Sequence, residues 1–295
     1  LQVLNSLMMI SNVFMMFTRS LTSWKHITEV MDEKIDITEE RSKDIFVEKG
    51  EIDFDHVYFK YSKDAQEYVL SDITLHMKAG QTIGIIGRTG AAKSTLVQLI
   101  PRLYDVTEGE IRIDGHPVQE YPLRHLRDAI AMVLQKNTLF SGTVRDNLRW
   151  GKEDATEEEI EEACRTACVD EFIERLENGY DTDLGQGGVN VSGGQKQRLC
   201  IARALLKKPR VLILDDSTSA VDTATEAKIR EGMERSLPGP TKIIIAQRIT
   251  SVVHADEIII LEDGRVHAVG THEELLKNNE IYQEIYQSQQ EGADL

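Results

Sequence analysis

The stretch Ile83-Gly-Ile-Ile-Gly87-Arg88-Thr89-Gly90-Ala91-Ala92-Lys93-Ser94-Thr95 joins a short apolar run to a glycine turn, a lysine and two hydroxyls. Ile83 to Ile86 is short, apolar and bounded by turn residues, which predicts a buried strand. Leu96 to Ile100, stopped by Pro101, predicts a helix. Strand, tight glycine turn, Lys-Ser and helix form the P-loop arrangement. Backbone N–H groups of the loop from Gly87 to Thr95 then cradle phosphate oxygens, Lys93 reaches the outer phosphates, and the Ser94 hydroxyl takes a magnesium ligand position. The pattern G-x-x-x-x-G-K-[ST] expects glycine before the lysine. Ala92 stands there instead, and its methyl group is expected to crowd the loop or strain its backbone.

Further along, Val211-Leu-Ile-Leu-Asp215-Asp216 is an apolar strand ending in two carboxylates, the Walker B form, with Asp215 expected to hold magnesium opposite Ser94. Between the two motifs, Val191-Ser192-Gly193-Gly194-Gln195 opens a helix expected from Lys196 to Leu206. A serine and two glycines at a helix start expose N–H groups and a hydroxyl, a second anion-binding surface. One P-loop already serves the bound nucleotide, so Ser192 to Gln195 are expected to contact nucleotide held by another subunit. The runs Ile130 to Leu134, Ile243 to Ala246 and Ile258 to Leu261 alternate with helical segments, which predicts an α/β fold around a mainly parallel sheet.

The 295 residues carry 34 basic and 50 acidic side chains, a net charge of −16, which excludes a dedicated nucleic-acid binder because phosphate contacts need a concentrated basic surface. Three cysteines make no disulfide framework at this length and fit a reducing compartment. Cys164 and Cys168, one helical turn apart without further ligands, read as buried thiols and not as a zinc site. Glu153 to Glu162, with seven acidic residues in ten, reads as a solvated helix start. His254, His267 and His272 have no ligand-spaced partners and read as surface or cap residues. Arg203 and Arg248 read as helix-surface or carboxylate-paired cations.

The first seventeen residues carry no charge, and as a helix they would be about 26 Å long, close to the ~30 Å hydrocarbon core of a bilayer. Arg19, Lys25 and Lys34 follow, a cytoplasmic flank. Residues 1–24 are accordingly read as the end of a transmembrane helix in a truncated protein, with a core or dimerisation helix as the alternative, and residues 25–50 as a linker.

P-loop, Walker B pair and Ser-Gly-Gly-Gln together resemble the nucleotide-binding domain of an ABC transporter, over roughly Ile52 to Gln287. The resemblance implies a P-loop NTPase (RecA-like) core with an antiparallel β part and a helical signature subdomain at about 136–204, within a domain of 51–290 followed by a tail, 291–295. It implies ATP and Mg2+ as cofactors. Tyr61, in Val57-Tyr-Phe-Lys-Tyr61, corresponds to the aromatic that stacks on adenine. Gln135, before Asn137-Thr-Leu-Phe-Ser-Gly142, matches the glutamine that reaches magnesium and senses the transmembrane domains. Ser219-Ala-Val-Asp222 matches the loop that crosses the dimer interface. Leu184-Gly-Gln-Gly-Gly-Val-Asn190 is similar to the exporter-specific loop, with Gln186 where glutamate is usual. An apolar segment feeding directly into the domain resembles the last membrane helix of a half-size exporter, which puts the domain on the cytoplasmic side of a cell membrane.

Two departures concern catalysis. ABC domains that hydrolyse ATP well carry Glu after the Walker B Asp, where this chain has Asp216, one methylene shorter. Gln247, in Ile243-Ile-Ile-Ala-Gln247, stands in place of the switch histidine that contacts the γ-phosphate. Its amide can hydrogen-bond phosphate but cannot carry a proton or charge as imidazole can. The combination resembles the degenerate-site half of a bacterial heterodimeric multidrug exporter: a chain that binds ATP, hydrolyses it poorly, and lends Ser192, Gly193 and Gly194 to a second half-transporter, the pair moving a small molecule across the membrane. A homodimeric exporter with a fully active site, and a soluble ABC ATPase without a transport role, are the rival readings.

Overall fold

The computed structural model describes residues 1–291, which fall into a first unit, Leu1–Thr38, and a second from Glu39 onward. The first unit is built on one helix, α1 (Gln2–Met31), none of whose side chains is buried. It runs past residue 24, through the start of the expected linker. Residues 25–31 hold no Gly or Pro, and Lys25 and His26 reach Glu29 at 3.8 and 3.3 Å, the i,i+4 and i,i+3 pairing that extends a helix. No helix among the described residues is long and apolar enough to cross a membrane.

The second unit runs β1 (Ile52–Phe59), β2 (Leu70–Met77), β3 (Thr82–Ile86), α2 (Lys93–Gln98), β4 (Glu108–Ile113), β5 (His116–Pro117), α3 (Leu123–Ala129) and β6 (Ile130–Val133). It continues with α4 (Val144–Arg149), α5 (Glu157–Thr166), α6 (Asp170–Ile173), α7 (Gly193–Leu206), β7 (Val211–Asp215) and α8 (Thr223–Ser236). β8 (Thr241–Ile245), β9 (Glu257–Glu262), β10 (Arg265–Gly270), α9 (His272–Asn278) and α10 (Glu280–Glu291) complete it. The expected tail beyond Glu291 lies outside the described residues.

Every apolar run read as a strand is one. They join a six-stranded sheet in the order β10-β9-β3-β8-β7-β6, parallel except for the edge strand β10. β2-β1-β4-β5 form a separate antiparallel sheet. Both faces of the parallel sheet are covered, which is why β7 reads as an unbroken apolar run with all five residues buried. Ile83, Ile85, Ile213 and Ile243 pack toward the antiparallel sheet and α2, while Leu212 and Leu214 pack toward α5, α7 and α8. Each fully buried Ile or Leu contributes about 1.5–3 kcal/mol, so the strand framework is heavily determined.

Three local differences have local causes. α2 starts at Lys93 and ends at Gln98, earlier than the run Leu96 to Ile100 suggested, because Pro101 disfavours helix in the residues just ahead of it. α7 starts at Gly193 and not Lys196: Ser192 Oγ accepts from Gln195 N–H while Gln195 Oε1 accepts from Ser192 N–H, a reciprocal cap that sets the first turn. Residues 39–50, expected as linker, are partly docked. The Asp114 carboxylate accepts the N–H groups of Glu48, Lys49, Gly50 and Glu51 at 2.7–2.9 Å, and Val47 is buried. The acidic run is a capped, solvated helix start as read, with Thr156 and Glu159 closing the box ahead of α5. Cys164, Cys168 and Cys200 are buried free thiols.

Candidate phosphate-binding site

Register places the chemistry. Ile85 pairs with Ile245, and Ile245 pairs with Asp215, so β3, β8 and β7 end level with one another. The P-loop after β3, the Asp215-Asp216 pair at the tip of β7 and Gln247 after β8 therefore open onto one edge of the sheet, the carboxyl end where ligands of open α/β sheets bind. They line a cleft of about 550 Å³ that takes in Gly87 to Thr95, Gln135, Asp215, Asp216 and Gln247. The sequence-predicted residues that line this cleft thus come from three neighbouring strands and from the loop after β6.

Within the P-loop, Gly87 is required because a Cβ there would lie 2.2 Å from the Leu261 carbonyl oxygen. Lys93 Nζ folds back onto the loop, donating to the carbonyls of Gly87 at 2.8 Å and Arg88 at 3.0 Å. Burial lowers the Lys93 pKa, with Asp215 and Asp216 opposing it. Ala92 sits at φ 65° and ψ 24°, the left-handed region where an L-residue is strained. Its methyl packs against the core cluster. Of the two expected consequences, strain is present; Ala92 also borders the cleft.

Asp215 is 4 % exposed, and burial raises its pKa, offset in part by a hydrogen bond to Ser94. A hydroxyl and a carboxylate that touch across the cleft make a donor set suited to a hard divalent cation, which takes oxygen ligands. The loop and Lys93 suit the polyphosphate of a nucleotide. ATP and Mg2+ therefore fit the residues present: Ser94 and Asp215 on the metal, Lys93 and the loop N–H groups on phosphate.

Asp216 holds the most distinctive contact. Its backbone is left-handed, at φ 47°, with its N–H on the Ile245 carbonyl at 2.9 Å. Its side chain is buried, and one oxygen, Oδ2, accepts from Gln135 Nε2 at 3.0 Å and from Gln247 Nε2 at 2.6 Å. The residues read as sensor, acid and switch thus meet on a single carboxylate oxygen. Gln135, bonding through nitrogen, keeps its carbonyl oxygen as the group available to a metal.

Tyr61 does not line the cleft. Its hydroxyl pairs with Thr95 Oγ1 at 2.9 Å, and its ring stands edge-on to Phe59 and Tyr104, so it is held beside the P-loop helix and 53 % exposed. Ser192, Gly193, Gly194 and Gln195 also lie outside the cleft. Gly193 and Gly194 approach Ala220 instead: a Cβ on Gly194 would come within 2.7 Å of the Ala220 carbonyl oxygen.

Two contacts carry no sequence signal of their own. Gln197, 4 % exposed, donates to Ser219 Oγ at 3.3 Å and accepts the Ala220 N–H at 3.0 Å, tying the signature helix to that loop. A polar residue spaced three and four positions from buried Cys200 and Ile201 was the available clue. Among the described residues, Arg203 pairs with no carboxylate. Its half-buried guanidinium donates to the Asn147 carbonyl (2.9 Å), Asn147 Oδ1 (3.0 Å) and the Thr138 carbonyl (3.2 Å), cross-linking α7 to the segment after Gln135. Arg248 is exposed, and His272 pairs through Nδ1 with the Tyr282 hydroxyl at 2.8 Å.

Against known proteins, the sequence profile of the ABC transporter family matches residues 70–219, from β2 through the Walker B pair to the loop beyond it. The chain belongs to the ABC transporter family. This ABC domain is 46% identical over 99% of its length to an uncharacterized ABC transporter ATP-binding protein of Bacillus subtilis, YfiB, of which it covers 51%. It is 42% identical over 89% of its length to a Staphylococcus aureus (strain COL) protein provisionally named a multidrug export ATP-binding/permease protein, covering 46% of it. The chain thus spans about half the length of the curated relatives it matches. Among solved structures it superposes on a bacterial Atm1-family ABC exporter with ATP bound, with a TM-score of 0.88 at 34% identity, covering 95% of this chain and 49% of that one.

Proposed function

We propose that this ABC domain is the ATP-binding part of an exporter half-transporter, that its own site binds Mg-ATP and hydrolyses it poorly, and that Ser192, Gly193 and Gly194 complete the site of a partner domain. The observation that carries the reading is the double capture of Asp216. A carboxylate that activates water must offer an oxygen to the water's hydrogen. Here Oδ2 already accepts from Gln135 and Gln247, which leaves Oδ1 to meet a water and fixes the carboxylate's orientation, on a side chain one methylene shorter than glutamate. Misplacement of a reacting group by about 1 Å can cost on the order of 100-fold in rate. Gln247 adds a neutral amide that moves no proton.

Membrane efflux of lipophilic small molecules rests on the Staphylococcus aureus relative's name and on the resemblance to exporters. α1 fits as the cytoplasmic end of a membrane helix, because Leu4, Phe14 and Phe17 and its other apolar side chains are exposed. A second half-transporter of different sequence is the partner that supplies a competent glutamate and histidine.

The test is Mg-ATP turnover at this site after Asp216→Glu together with Gln247→His, in the partner-paired transporter with binding verified. Turnover is expected to rise at least tenfold, part of the ~100-fold that misplacement costs. A folded, ATP-binding double variant with no rise overturns the reading. Native turnover already near the ~1–10 s⁻¹ of an ordinary enzyme would instead support the homodimeric, fully active exporter.

A further inference from the structure

We propose that Gln289 on α10 is a positioning residue for Gln247, and that through it the last described helix sets how well the cleft tells a nucleoside triphosphate from a diphosphate. The inference rests on the ATP reading above.

Gln247 sits in the short loop between Ile245, the end of β8, and a single helical turn at Ile249–Ser251. That loop borrows its order from α10. Gln289 Nε2 donates to the Gln247 carbonyl at 2.7 Å, and Gln289 Oε1 accepts the Ile249 N–H at 2.8 Å. One side-chain amide thus pairs with the backbone on both sides of Arg248, as a neighbouring strand would. It fixes the backbone from which the Gln247 side chain projects.

α10 is anchored independently of this contact. Tyr282 is fully buried in the cluster formed by Ile86, Ala246, Ile249 and Ile260, and its hydroxyl pairs with His272. Ile285 reaches the cleft wall itself. A second link, Arg88 to Glu284 at 3.5 Å, is 69% and 71% exposed, and ion pairs of that kind contribute little. Among the described residues, Gln289 therefore supplies the side-chain hydrogen bonds from α10 to the backbone that carries Gln247.

Its consequence follows from where Gln247 points. The Gln247 amide donates to Asp216 Oδ2 in the cleft that Lys93 and the loop also line, so its remaining N–H is a neutral donor on the Asp216 side of the phosphate cradle. A diphosphate held by Lys93 and the loop leaves that side empty; a triphosphate fills it. Loosening the loop should weaken the triphosphate and spare the diphosphate.

The test compares Kd for Mg-ATP and Mg-ADP in the full chain by titration calorimetry. Gln289→Ala is expected to weaken Mg-ATP about 3- to 10-fold, the effect of one ordinary hydrogen bond, and to leave Mg-ADP within twofold. Gln289→Glu keeps the acceptor for Ile249 N–H but sets a carboxylate against the Gln247 carbonyl, and should shift Mg-ATP the same way. In the Gln247→Ala background, Gln289→Ala should have no further effect, since the two act as one unit. Hydrogen exchange at the Ile249 amide should quicken in Gln289→Ala while global unfolding is unchanged. Equal losses for both nucleotides, additive effects with Gln247→Ala, or unaltered Ile249 exchange would each overturn the inference. A native chain that binds neither nucleotide overturns the ATP reading and the inference with it. One that binds both with a ratio indifferent to Gln289 overturns the inference alone.

Discussion

Asp215 and Lys93 are held against their own preferences. Burial pushes the Asp215 pKa up and the Lys93 pKa down, so each is disfavoured in its charged form, and the fold tolerates both because phosphate and a cation need those charges. The sign for Asp215 is definite. A carboxylate whose folded pKa is raised binds more protons folded than unfolded, so its contribution is least unfavourable at low pH and worsens as pH rises from the unfolded value through the raised one. Asp215→Asn should therefore raise the melting temperature of the nucleotide-free protein at pH 7. The gain should shrink as the pH is lowered toward the raised pKa, and the magnesium dependence of ATP binding should be lost. A melting temperature that falls at pH 7 would mean that the Ser94 contact outweighs burial. Ala92 invites a smaller change. Its left-handed backbone costs about 1–2 kcal/mol, against at most ~0.8 kcal/mol for a half-buried methyl and about 0.4–1 kcal/mol of unfolded-chain entropy for glycine. The terms nearly cancel, so Ala92→Gly should leave stability within about 1 kcal/mol, and Mg-ATP affinity within threefold because the residue packs against the core cluster even where it borders the cleft. A tenfold gain in affinity by calorimetry would place the methyl in the phosphate path after all.

α7 shows how an element carries a site it does not contain. Its first turn is set by the Ser192–Gln195 box, and its buried face holds Gln197, whose amide grips Ser219 and Ala220. The signature surface and the loop ahead of α8 thus move as one piece. Gln197→Ala should cost about 1–2 kcal/mol in urea unfolding through the lost hydrogen bonds and the space left behind. Gln197→Leu should restore most of the packing but not the tie, so exchange at the Ala220 amide should quicken in both variants; protection retained in Gln197→Leu would mean that packing alone holds the loop. The elements themselves were largely readable: Ile83 to Ile86, Val211 to Leu214 and Ile243 to Ile245 could hardly be other than buried strands, and glycine, lysine and carboxylate at their ends located the cleft. What could not be read was contact between distant residues. Gln135 and Gln247 each had a place by spacing, but that both would reach one oxygen of Asp216 depends on how three strands register. Gln197, Arg203 and Gln289 bond to backbone far away in sequence, which leaves no trace in local pattern. The docking of residues 39–50 has the same cause, since it depends on Asp114, whereas the overrun of α1 past residue 24 rests on i,i+3 and i,i+4 pairs that a local reading could have found.

At the scale of the whole molecule, the P-loop cleft and the Ser192 to Gln195 segment do not meet: Ser192 to Gln195 lie outside the cleft that the P-loop lines. On the proposed function both surfaces bind anions, and because neither serves the other that proposal calls for a second body set head to tail. In that arrangement Ser192 would act on nucleotide bound to the partner. The prediction needs a control, because Ser192 also caps α7 and its loss should cost about 1 kcal/mol of helix stability. Ser192→Thr keeps a capping hydroxyl and Ser192→Ala does not, so effects shared by both variants report the surface and effects confined to alanine report the cap. In the paired transporter, photolabelling with an azido-ATP should separate the chains. Ser192→Ala is expected to lower labelling of the partner chain severalfold and to leave labelling of this chain within twofold, while Gly194→Ala, whose added methyl would press on the Ala220 carbonyl, should do the same more strongly. Equal loss on both chains would show that the signature loop serves its own P-loop through motion of the domain. Loss on this chain alone would show that the paired architecture is not head to tail.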